Sequence, residues 1–446
     1  MKKLSKEQIK FIKLLIALAP PIIFQEILNT SVNMMDTMMI GRAMGVTEVA
    51  SVGLANQVFF LFILMVFGIL SGATVFSGQY FGKGDLKNIH RIMGIGFLCT
   101  TITAVLFFVP AFFIPHVIIR IYSNDPIVIE LGSQYLRIIS FSYFLVAITS
   151  TRNSTMRSMR QTKIPMVSTS IALVLNIIFN YLAIFVFESG LIGVAVSTLA
   201  SRFIELIIQE YLIRKYKMPI LAPIKNYFDF NIDFVKSFFK VSIFIVFNEV
   251  VWSLGFSIYN IAYGIVGTEA QGAMQISMAM GNLFAVFGTS MAITTSIIIS
   301  NTLGASKIDL ALKYSRFCMY FAAIASGIMG ILLISFSSLI SGIYNVAQNV
   351  EIYISNILVI VGFSLIIRSL NFTTVVGILR SGGDTKYCFY LETITMYLIG
   401  LPLAFLGAYL GFPIYIVFIF VTAEEVIKLF FALKRVLKNG WAKTLV

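Results

Sequence analysis

The sequence predicts an all-α integral membrane protein with twelve transmembrane helices, arranged as two parallel six-helix bundles related by pseudo-symmetry. Three observations carry this prediction. Hydrophobic residues make up 58% of the 446 residues and charged residues only 12%, against about 25% charged residues in an ordinary soluble domain. The apolar residues fall into long unbroken runs, and one half of the chain repeats the other.

The long apolar runs predict helices in place of membrane strands. About 20 apolar residues cross a bilayer as a helix, so the chain has room for roughly twelve spans with short connections. Strands of a membrane barrel would instead be segments of about ten residues with alternating hydrophobicity. The predicted spans are 14–41, 46–78, 92–119, 127–150, 164–187, 191–213, 238–265, 270–302, 314–343, 352–378, 387–409 and 412–433.

A repeat with an offset of 223 residues divides the chain into halves. The segment IIFQEILNTSVNMMDTMMIG at 22–41 returns as IVFNEVVWSLGFSIYNIAYG at 245–264. Far downstream, RSMRQTK at 157–163 matches RSGGDTK at 380–386 with the same offset. A half-chain repeat in an apolar sequence is typical of secondary transporters, whose two bundles rock about a central site.

The distribution of basic residues predicts that both termini are cytoplasmic. Of the 33 Lys and Arg residues, 28 fall in the two tails and the even-numbered connections, among them Lys2, Lys3, Arg380 and Lys428. The positive-inside rule places such connections in the cytoplasm. The net charge of +13 is therefore a topology signal that suits an anionic inner leaflet. Dispersed among loops, it gives no support for nucleic-acid binding, and we expect a multi-pass protein of the plasma (inner) membrane.

The repeat and the connections predict the domain organisation. A six-helix unit begins and ends on the same side of the membrane, so the two halves run parallel. We expect an amino-terminal bundle at 1–215, a cytoplasmic linker at 216–237, and a carboxy-terminal bundle at 238–446. The basic start of the chain continues as an apolar run past Pro20 and Pro21, which predicts a first helix in place of a signal peptide.

The sequence offers little support for an enzyme or a cofactor. The three cysteines, Cys99, Cys318 and Cys388, are far apart, which disfavours a disulfide framework or a thiolate metal site. The segment GQYFGKG at 78–84 has the wrong spacing for a phosphate-binding loop. We therefore predict a protein that is not an enzyme, has no cofactor, and does not use ATP as its energy source.

Ionisable side chains at membrane depth are the first candidates for function, because each costs several kcal/mol unless it is paired or hydrated. Asp36 is the strongest candidate. It precedes Arg42 by six residues, or about 9 Å along a helix, and the duplicate of its position is Tyr259. The alternative is a carboxylate that only lines a pore or pairs helices. Further candidates for substrate binding or gating are Glu26, its duplicate Glu249, and Glu392.

A set of oxygen-bearing side chains at similar depth predicts a cation site. Asn176 and Asn180 are four residues apart and share one helix face, and Thr198 follows on the next span. With Asp36 they offer the oxygen ligands that hard cations prefer, which favours Na⁺ as the coupling ion. A proton on Asp36 alone would also suffice. In the alternative interpretation, the Asn and Thr side chains only join helices by hydrogen bonds.

Four motifs together resemble the multidrug and toxic compound extrusion (MATE) family. They are MDTMMIGR at 35–42, GQYFG at 78–82, LRSGGDTK at 379–386 and GLPLA at 400–404. The resemblance covers essentially the full length and is close to the bacterial branch with NorM- and DinF-like pumps. It implies a twelve-helix antiporter that expels cationic, often aromatic, drugs in exchange for Na⁺ or H⁺.

The resemblance also implies roles for individual residues. Asp36, Asn176, Asn180 and Thr198 match the cation site in the amino-terminal lobe of the family. Glu249 matches an acid on helix 7 of NorM-type members, whose further acid on helix 10 would fall near Ser369, where this chain has none. A second cation site in that lobe is therefore in doubt, and structural or gating roles for Glu249 and Glu26 stay open. Glu392 resembles an acidic position on helix 11.

The predicted function is secondary active multidrug efflux by alternating access. We expect a monomer in membrane lipid that exports small organic cations, with the coupling ion acting through different affinities in two states. The main alternative is a lipid-linked oligosaccharide flippase of the related superfamily, for which we expect a strongly cationic cavity. Asp36 and Glu249 argue against such a cavity, and Arg368 argues for it.

Overall fold

The computed structural model describes residues 6–343 and 346–446, and the described residues are helical without strands. Lys2 and Lys3 lie outside them. The helices in chain order are α1 (Lys6–Ala43), α2 (Val46–Lys83), α3 (Leu86–Phe113), α4 (the bent pair Pro126–Ile139 and Ser142–Ser158), α5 (Lys163–Val186), α6 (Gly190–Lys215), α7 (Ile232–Val266), α8 (Thr268–Gly304), α9 (Ile308–Gly342), α10 (Gln348–Gly382), α11 (Thr385–Tyr409) and α12 (Ile414–Leu437). Two short helices, Pro115–Arg120 and Ile224–Tyr227, lie in connections.

Most of these helices are suited to cross a membrane. In the described part of the chain, ten are long and apolar enough, or eleven when the bent pair α4 counts as one span. The remaining long helix, α12, has 24 residues and differs by carrying Glu424, Glu425 and Lys428 within it. Together they make twelve, and the prediction of an all-α, multi-pass membrane protein is confirmed.

The lipid environment explains why the chain is helical. A bilayer offers no partners for backbone N–H and C=O groups, so each span must satisfy them internally. The same environment accepts apolar side chains on the outer face. Ile324, Ile328 and Ile331 of α9 are 60%, 55% and 67% exposed, and their spacing of four and three residues places them on one face. An apolar stripe of this kind is suited to contact with lipid.

Two predicted spans are interrupted, and the cause is local. The span at 92–119 ends as α3 at Phe113, because Ile114 precedes Pro115 and leaves the helical conformation with φ −130° and ψ 43°, as residues before proline tend to do. The span at 127–150 bends by 47° between the halves of α4. At this bend the hydroxyls of Ser140 and Ser142 donate to carbonyls three residues earlier, a contact that often bends helices.

The described residues divide into two compact units. The amino-terminal bundle comprises residues 24–77 and 84–239, and the carboxy-terminal bundle comprises residues 6–23, 78–83 and 240–446. Residues from the start of α1 and the end of α2 thus belong to the carboxy-terminal bundle. The domain boundaries drawn from the sequence remain a prediction.

In the amino-terminal bundle, the connection after α6 packs on the beginning of α3. The backbone oxygen of Tyr227 would lie 1.8 Å from a Cβ on Gly94, so glycine is required for this approach. Asp229 lies 2.8 Å from Arg91 and 3.2 Å from Lys87. These two bases hold the pKa of the Asp229 carboxyl below its usual range. The predicted linker is therefore anchored in part by ion pairs.

The carboxy-terminal bundle contains an aromatic core and a close helix crossing. Phe11 packs against Tyr314 and Phe317, with ring centroids 5.1 and 5.4 Å apart. Near this core the end of α2 crosses the end of α8. A Cβ on Gly82 would lie 2.1 Å from the backbone oxygen of Asn301, and one on Gly304 would lie 1.9 Å from that of Gln79. Two glycines thus let the backbones touch.

We predict that Gly304→Ala destabilises the protein, because its new methyl group would meet the rigid backbone of α2. Overpacking of this kind costs about 1–3 kcal/mol. Gly272→Ala in the same helix is the matched control, since nothing lies within 4 Å of a Cβ there. Thermal unfolding in detergent should show a lower Tm for Gly304→Ala and an unchanged or higher Tm for Gly272→Ala. Equal Tm values for Gly304→Ala and the wild type would contradict the close crossing.

Candidate cation-binding site

The four residues predicted to bind a cation lie together in the amino-terminal bundle. Asp36 is on α1, Asn176 and Asn180 are on α5, and Thr198 is on α6. The side-chain amide of Asn180 donates to Asp36 Oδ1 at 2.9 Å, and the amide of Asn176 donates to Thr198 Oγ1 at 3.3 Å. Asn180 Nδ2 also lies 3.5 Å from Asn176 Oδ1. One hydrogen-bonded chain therefore joins a carboxylate, two amides and a hydroxyl.

Tyr135 on α4 extends this chain and was not predicted. Its side chain is 4% exposed and its hydroxyl forms a hydrogen bond with Thr198. The sequence contains 19 tyrosines, and nothing in the local pattern sets this one apart. Only the packing of α4 beside α6 reveals that its hydroxyl reaches the site.

Asn180 carries an unsatisfied oxygen within this set. The residue is fully buried, and among the described residues no donor reaches its Oδ1 atom. A buried polar atom without a partner costs about 1–3 kcal/mol. Asn180 thus offers a carbonyl oxygen next to the Asp36 carboxylate to which it is bonded. A cation near both groups would satisfy the oxygen and neutralise the carboxylate.

The site opens into a cavity of about 420 Å³. This volume is within the range of about 300–1,000 Å³ found for small-molecule sites. Its walls combine the polar groups with aromatic and aliphatic side chains. The lining residues are Val32, Asp36, Thr37, Ile40, Val52, Asn56, Phe59, Phe60, Ile63, Tyr135, Ile139, Ser142, Ala172, Leu173, Asn176, Val194, Thr198, Ser201 and Arg202. Such a cavity can receive a compact, partly apolar molecule beside the acid.

The charges around the cavity are unequal. Arg202 lies in the wall but is neutralised by Glu205, with 3.0 Å between Nη1 and Oε2. Glu205 also accepts a hydrogen bond from Thr169, which in turn accepts one from Gln25. Asp36 has no basic partner within 4 Å among the described residues. The cavity therefore contains one carboxylate without a matching positive charge.

Glu26 occupies a separate position in the same bundle. Its Oε1 atom lies 3.5 Å from Arg157 Nη2, which donates to the Gln25 side chain at 2.5 Å. Glu26 is not among the residues that line the cavity. This placement gives Glu26 a base partner on α4, and its role in substrate binding or gating stays a prediction.

Glu249 and Glu392 lie in the carboxy-terminal bundle, on α7 and α11. Arg380 joins them, with 2.9 Å to Glu249 and 3.7 Å to Glu392, and Asn248 donates its side-chain amide to Glu392. Arg380 was expected in a cytoplasmic connection. Its side chain is instead 2% exposed, because two carboxylates draw the guanidinium into the bundle.

Three charged residues of α12 were missed as candidates. Lys428 was counted with the cytoplasmic tail, but its side chain is 5% exposed and lies 2.9 Å from Glu424 and 3.3 Å from Glu425. The repeat offset could have identified them. It relates Glu425 to Arg202 and Lys428 to Glu205, so a buried ion pair recurs with its charges exchanged.

Comparison with known proteins identifies the family. The model of the MatE family matches the chain twice, over residues 21–182 and 244–406. The two matches begin 223 residues apart, which is the offset of the internal repeat. They cover most of both halves of the chain.

Several relatives match nearly the whole length. The uncharacterized transporter YisQ of Bacillus subtilis is 26% identical, over 92% of this chain and 91% of its own length. The probable multidrug resistance protein NorM of Thermotoga maritima is 27% identical, over 93% of this chain and 92% of its own. The resemblance predicted from four motifs is thereby confirmed.

Solved structures share the fold. A mutant of VcmN, a MATE transporter of Vibrio cholerae, superposes with a TM-score of 0.89 over 99% of both chains at 17% identity. A MOP superfamily transporter of Pyrococcus furiosus gives a TM-score of 0.87 over 98% of this chain and 99% of its own at 15% identity. This likeness confirms the predicted fold class of twelve helices in two bundles. From the two matches of its family model, the chain belongs to the MatE family.

Proposed function

We propose that the protein is a secondary active multidrug efflux transporter that exports organic cations, often aromatic, in exchange for Na⁺. Membership of the MatE family and relatives named as multidrug resistance proteins support this function. We further propose that it works as a monomer in the plasma (inner) membrane with both termini cytoplasmic. H⁺ is the alternative coupling ion.

The observation that carries the proposal is the unpaired carboxylate of Asp36 in a cavity. A carboxylate without a base partner in a membrane bundle needs a positive charge. A coupling ion and a cationic substrate both supply one. If both depend on Asp36, binding of the ion weakens the hold on the substrate. The exchange then follows from one negative charge that serves two positive ligands in turn.

The cavity suits the proposed substrates. Phe59 and Phe60 are among its lining residues, and the faces of aromatic rings attract organic cations by about 0.5–2 kcal/mol. The ion drives transport only if its affinity differs between the two access states. The chain of hydrogen bonds from Asp36 to Tyr135 provides a way to transmit ion binding to α4, α5 and α6.

The unsatisfied oxygen of Asn180 favours Na⁺ over H⁺. With the Asn180 amide oriented as it is here, donating to Asp36, a proton on Asp36 would neutralise the carboxylate but leave Asn180 Oδ1 without a partner. A Na⁺ ion would use both groups, and hard cations prefer carboxylate and carbonyl oxygens. Asn176 and Thr198 add further oxygens within the same chain. These four residues are the proposed ligand set.

The charges that line the cavity argue against the flippase alternative. A negatively charged lipid-linked head group would need free basic side chains. Of the described residues, Arg202 is the one base that lines the cavity, and Glu205 neutralises it at 3.0 Å. Arg368, which favoured the flippase in the sequence, lies near the carboxylate of Glu425. Neither arginine offers an unpaired charge for an anion.

We predict that Asp36→Asn abolishes ion-driven efflux. The measurement is ethidium efflux from proteoliposomes under an imposed Na⁺ gradient and, separately, a pH gradient. The Na⁺ gradient should stimulate ethidium efflux by the wild-type protein roughly 5–150-fold, the usual range for a coupling of about 1–3 kcal/mol. The variant should show no such stimulation. Asp309→Asn is the matched control, because this acid lies exposed in the first turn of α9.

The outcomes separate the candidate functions. Efflux under both gradients that survives Asp36→Asn would exclude Asp36 as the coupling site. A response to the pH gradient alone would replace Na⁺ by H⁺. No ethidium transport under either gradient, together with binding of a polyprenyl-linked lipid, would favour the flippase.

We predict that Asn180→Ala selectively weakens the use of Na⁺. The change removes the unsatisfied carbonyl oxygen but keeps the Asp36 carboxylate. The Na⁺ concentration for half-maximal efflux should rise about tenfold, which corresponds to about 1.4 kcal/mol. Asn260→Ala, at an exposed position of α7, is the control and should leave that concentration unchanged. An unchanged Na⁺ dependence in Asn180→Ala would remove this residue from the ligand set.

A further inference from the structure

The carboxy-terminal bundle contains a second cluster of buried charge. Within the described spans of this bundle, the cluster has four carboxylates and three basic groups. Its members are Glu249, Glu392, Glu424, Glu425, Arg368, Arg380 and Lys428. One carboxylate is therefore in excess, in a medium where an unbalanced charge is costly.

The contacts identify which carboxylate is least supported. Lys428 is shared between Glu424 at 2.9 Å and Glu425 at 3.3 Å. Glu425 has two further partners, because Asn371 donates its amide at 2.6 Å and Arg368 lies close enough to attract it. Within the described residues, the one further partner of Glu424 is the neutral hydroxyl of Tyr259, at 2.6 Å. The excess negative charge thus falls on Glu424.

The space around Glu424 excludes a bulky ligand. A Cβ on Gly400 would lie 1.9 Å from Tyr259 Oη and 2.6 Å from Glu424 Oε2, so α11 packs directly on this pair. The adjoining cavity, lined by Asn248, Glu392 and Lys428, has no room for a water molecule. A metal cation needs several oxygen ligands around it. A proton is the positive charge that needs no additional space.

Unsatisfied acceptors lie beside the cluster. Asn248 and Asn371 are 3% and 4% exposed, and among the described residues neither side-chain oxygen has a donor. Asn248 lines the cavity with Lys428, and Asn371 donates to Glu425. Two acceptors near Glu424 therefore lack a donor in the described part of the chain, while Arg380 Nε and the Thr393 hydroxyl also lack partners there. An added proton on Glu424 would reduce the excess negative charge in these imperfectly paired surroundings.

We propose that Glu424 and Tyr259 form a proton-binding site in the carboxy-terminal bundle, separate from Asp36 and independent of the ion bound there. In the deprotonated form the Tyr259 hydroxyl donates to the carboxylate. In the protonated form Glu424 Oε2–H donates to Tyr259 Oη across the same 2.6 Å. The proton brings the charge of the cluster to zero. Loss of this proton leaves the carboxylates of Glu424 and Glu425 both beside the single ammonium group of Lys428. It also loosens the contact between α7 and α12.

The other bundle contains the same imbalance in a different arrangement. There the half-buried acids Glu26 and Asp36 and the buried Glu205 outnumber the bases Arg157 and Arg202 by one. The repeat offset places Tyr259 at the position of Asp36. The excess carboxylate thus lies on the first helix of one repeat and on the last helix of the other. Each bundle retains one acid for an exchangeable positive charge.

The titratable and charged groups around Glu424 come from four helices. They are Tyr259 and Tyr263 on α7, Arg368 on α10, Glu392 on α11, and Glu425 and Lys428 on α12. Lys428 also lies 3.3 Å from Glu425, and Arg368 attracts the same Glu425 carboxylate. We therefore expect the proton to reside on Glu424 and not on one of the neighbouring groups.

Infrared spectroscopy of the purified full-length protein tests the site directly. Spectra recorded from mildly acidic to alkaline pH should contain a carboxylic-acid C=O band that disappears as Glu424 loses its proton. Glu424→Gln should remove the intensity of one carboxyl group per protein, and Asp36→Asn should leave that component in place. Glu269→Gln, at an exposed acid of α8, should leave the whole band unchanged.

Tyr259→Phe provides a second test that keeps the carboxyl group. It removes the hydrogen-bond partner, so the C=O band of protonated Glu424 should shift in frequency without loss of area. Spectra in which neither Glu424→Gln nor Tyr259→Phe alters the carboxylic-acid region would overturn the proposal. The measurement requires no transport, so its failure is distinct from failure of ion-driven efflux.

Discussion

The cost of unpaired charge in a low-dielectric membrane determines how the interior of this protein is organised. The buried bases Arg380 and Lys428 lie against the carboxylates of Glu249 and Glu424, and the half-buried Arg202 lies against Glu205. These contacts fix which helix faces turn inward. Because acids outnumber bases by one among the interior charges described for each bundle, the pairing there is incomplete. The remaining carboxylates are the groups with the greatest need for a mobile positive charge, and they give the bundles their chemistry.

Comparison of the two repeats distinguishes charged positions that both halves share from positions at which the halves differ. Arg157 and Arg380 occupy related positions and each contacts the related acid of its own bundle, Glu26 or Glu249. That pairing behaves as part of the scaffold. Asp36 has become Tyr259 in the second copy, and the ion pair of α6 reappears in α12 with its charges exchanged. One helical framework thus supports two distributions of charge.

Sequence reasoning succeeded where a single physical cause dominates. Lipid demands apolar spans, so the twelve helices could be predicted, and Asn176 and Asn180 could be placed on one face by spacing alone. The bend in α4 depends on local serine contacts that hydropathy ignores. Arg380 and Lys428 were assigned to the cytoplasm because basic residues usually mark topology. Glu249, which Arg380 contacts, is 131 residues away, and only the folded chain brings the two together. Glu424 and Glu425, by contrast, lie within one helical turn of Lys428.

Gly400 lies directly beside the contact between Tyr259 and Glu424, which helps to recognise the same contact in related sequences. Its missing side chain leaves the space in which Tyr259 and Glu424 meet, and any larger residue would separate them. The three positions are therefore linked by volume as well as by charge. In related proteins, a tyrosine on helix 7 and a Glu-Glu-x-x-Lys segment on helix 12 should occur together with glycine at this point of helix 11. Where that glycine is replaced, the tyrosine or the first glutamate should change as well, which makes the contact readable from sequences alone.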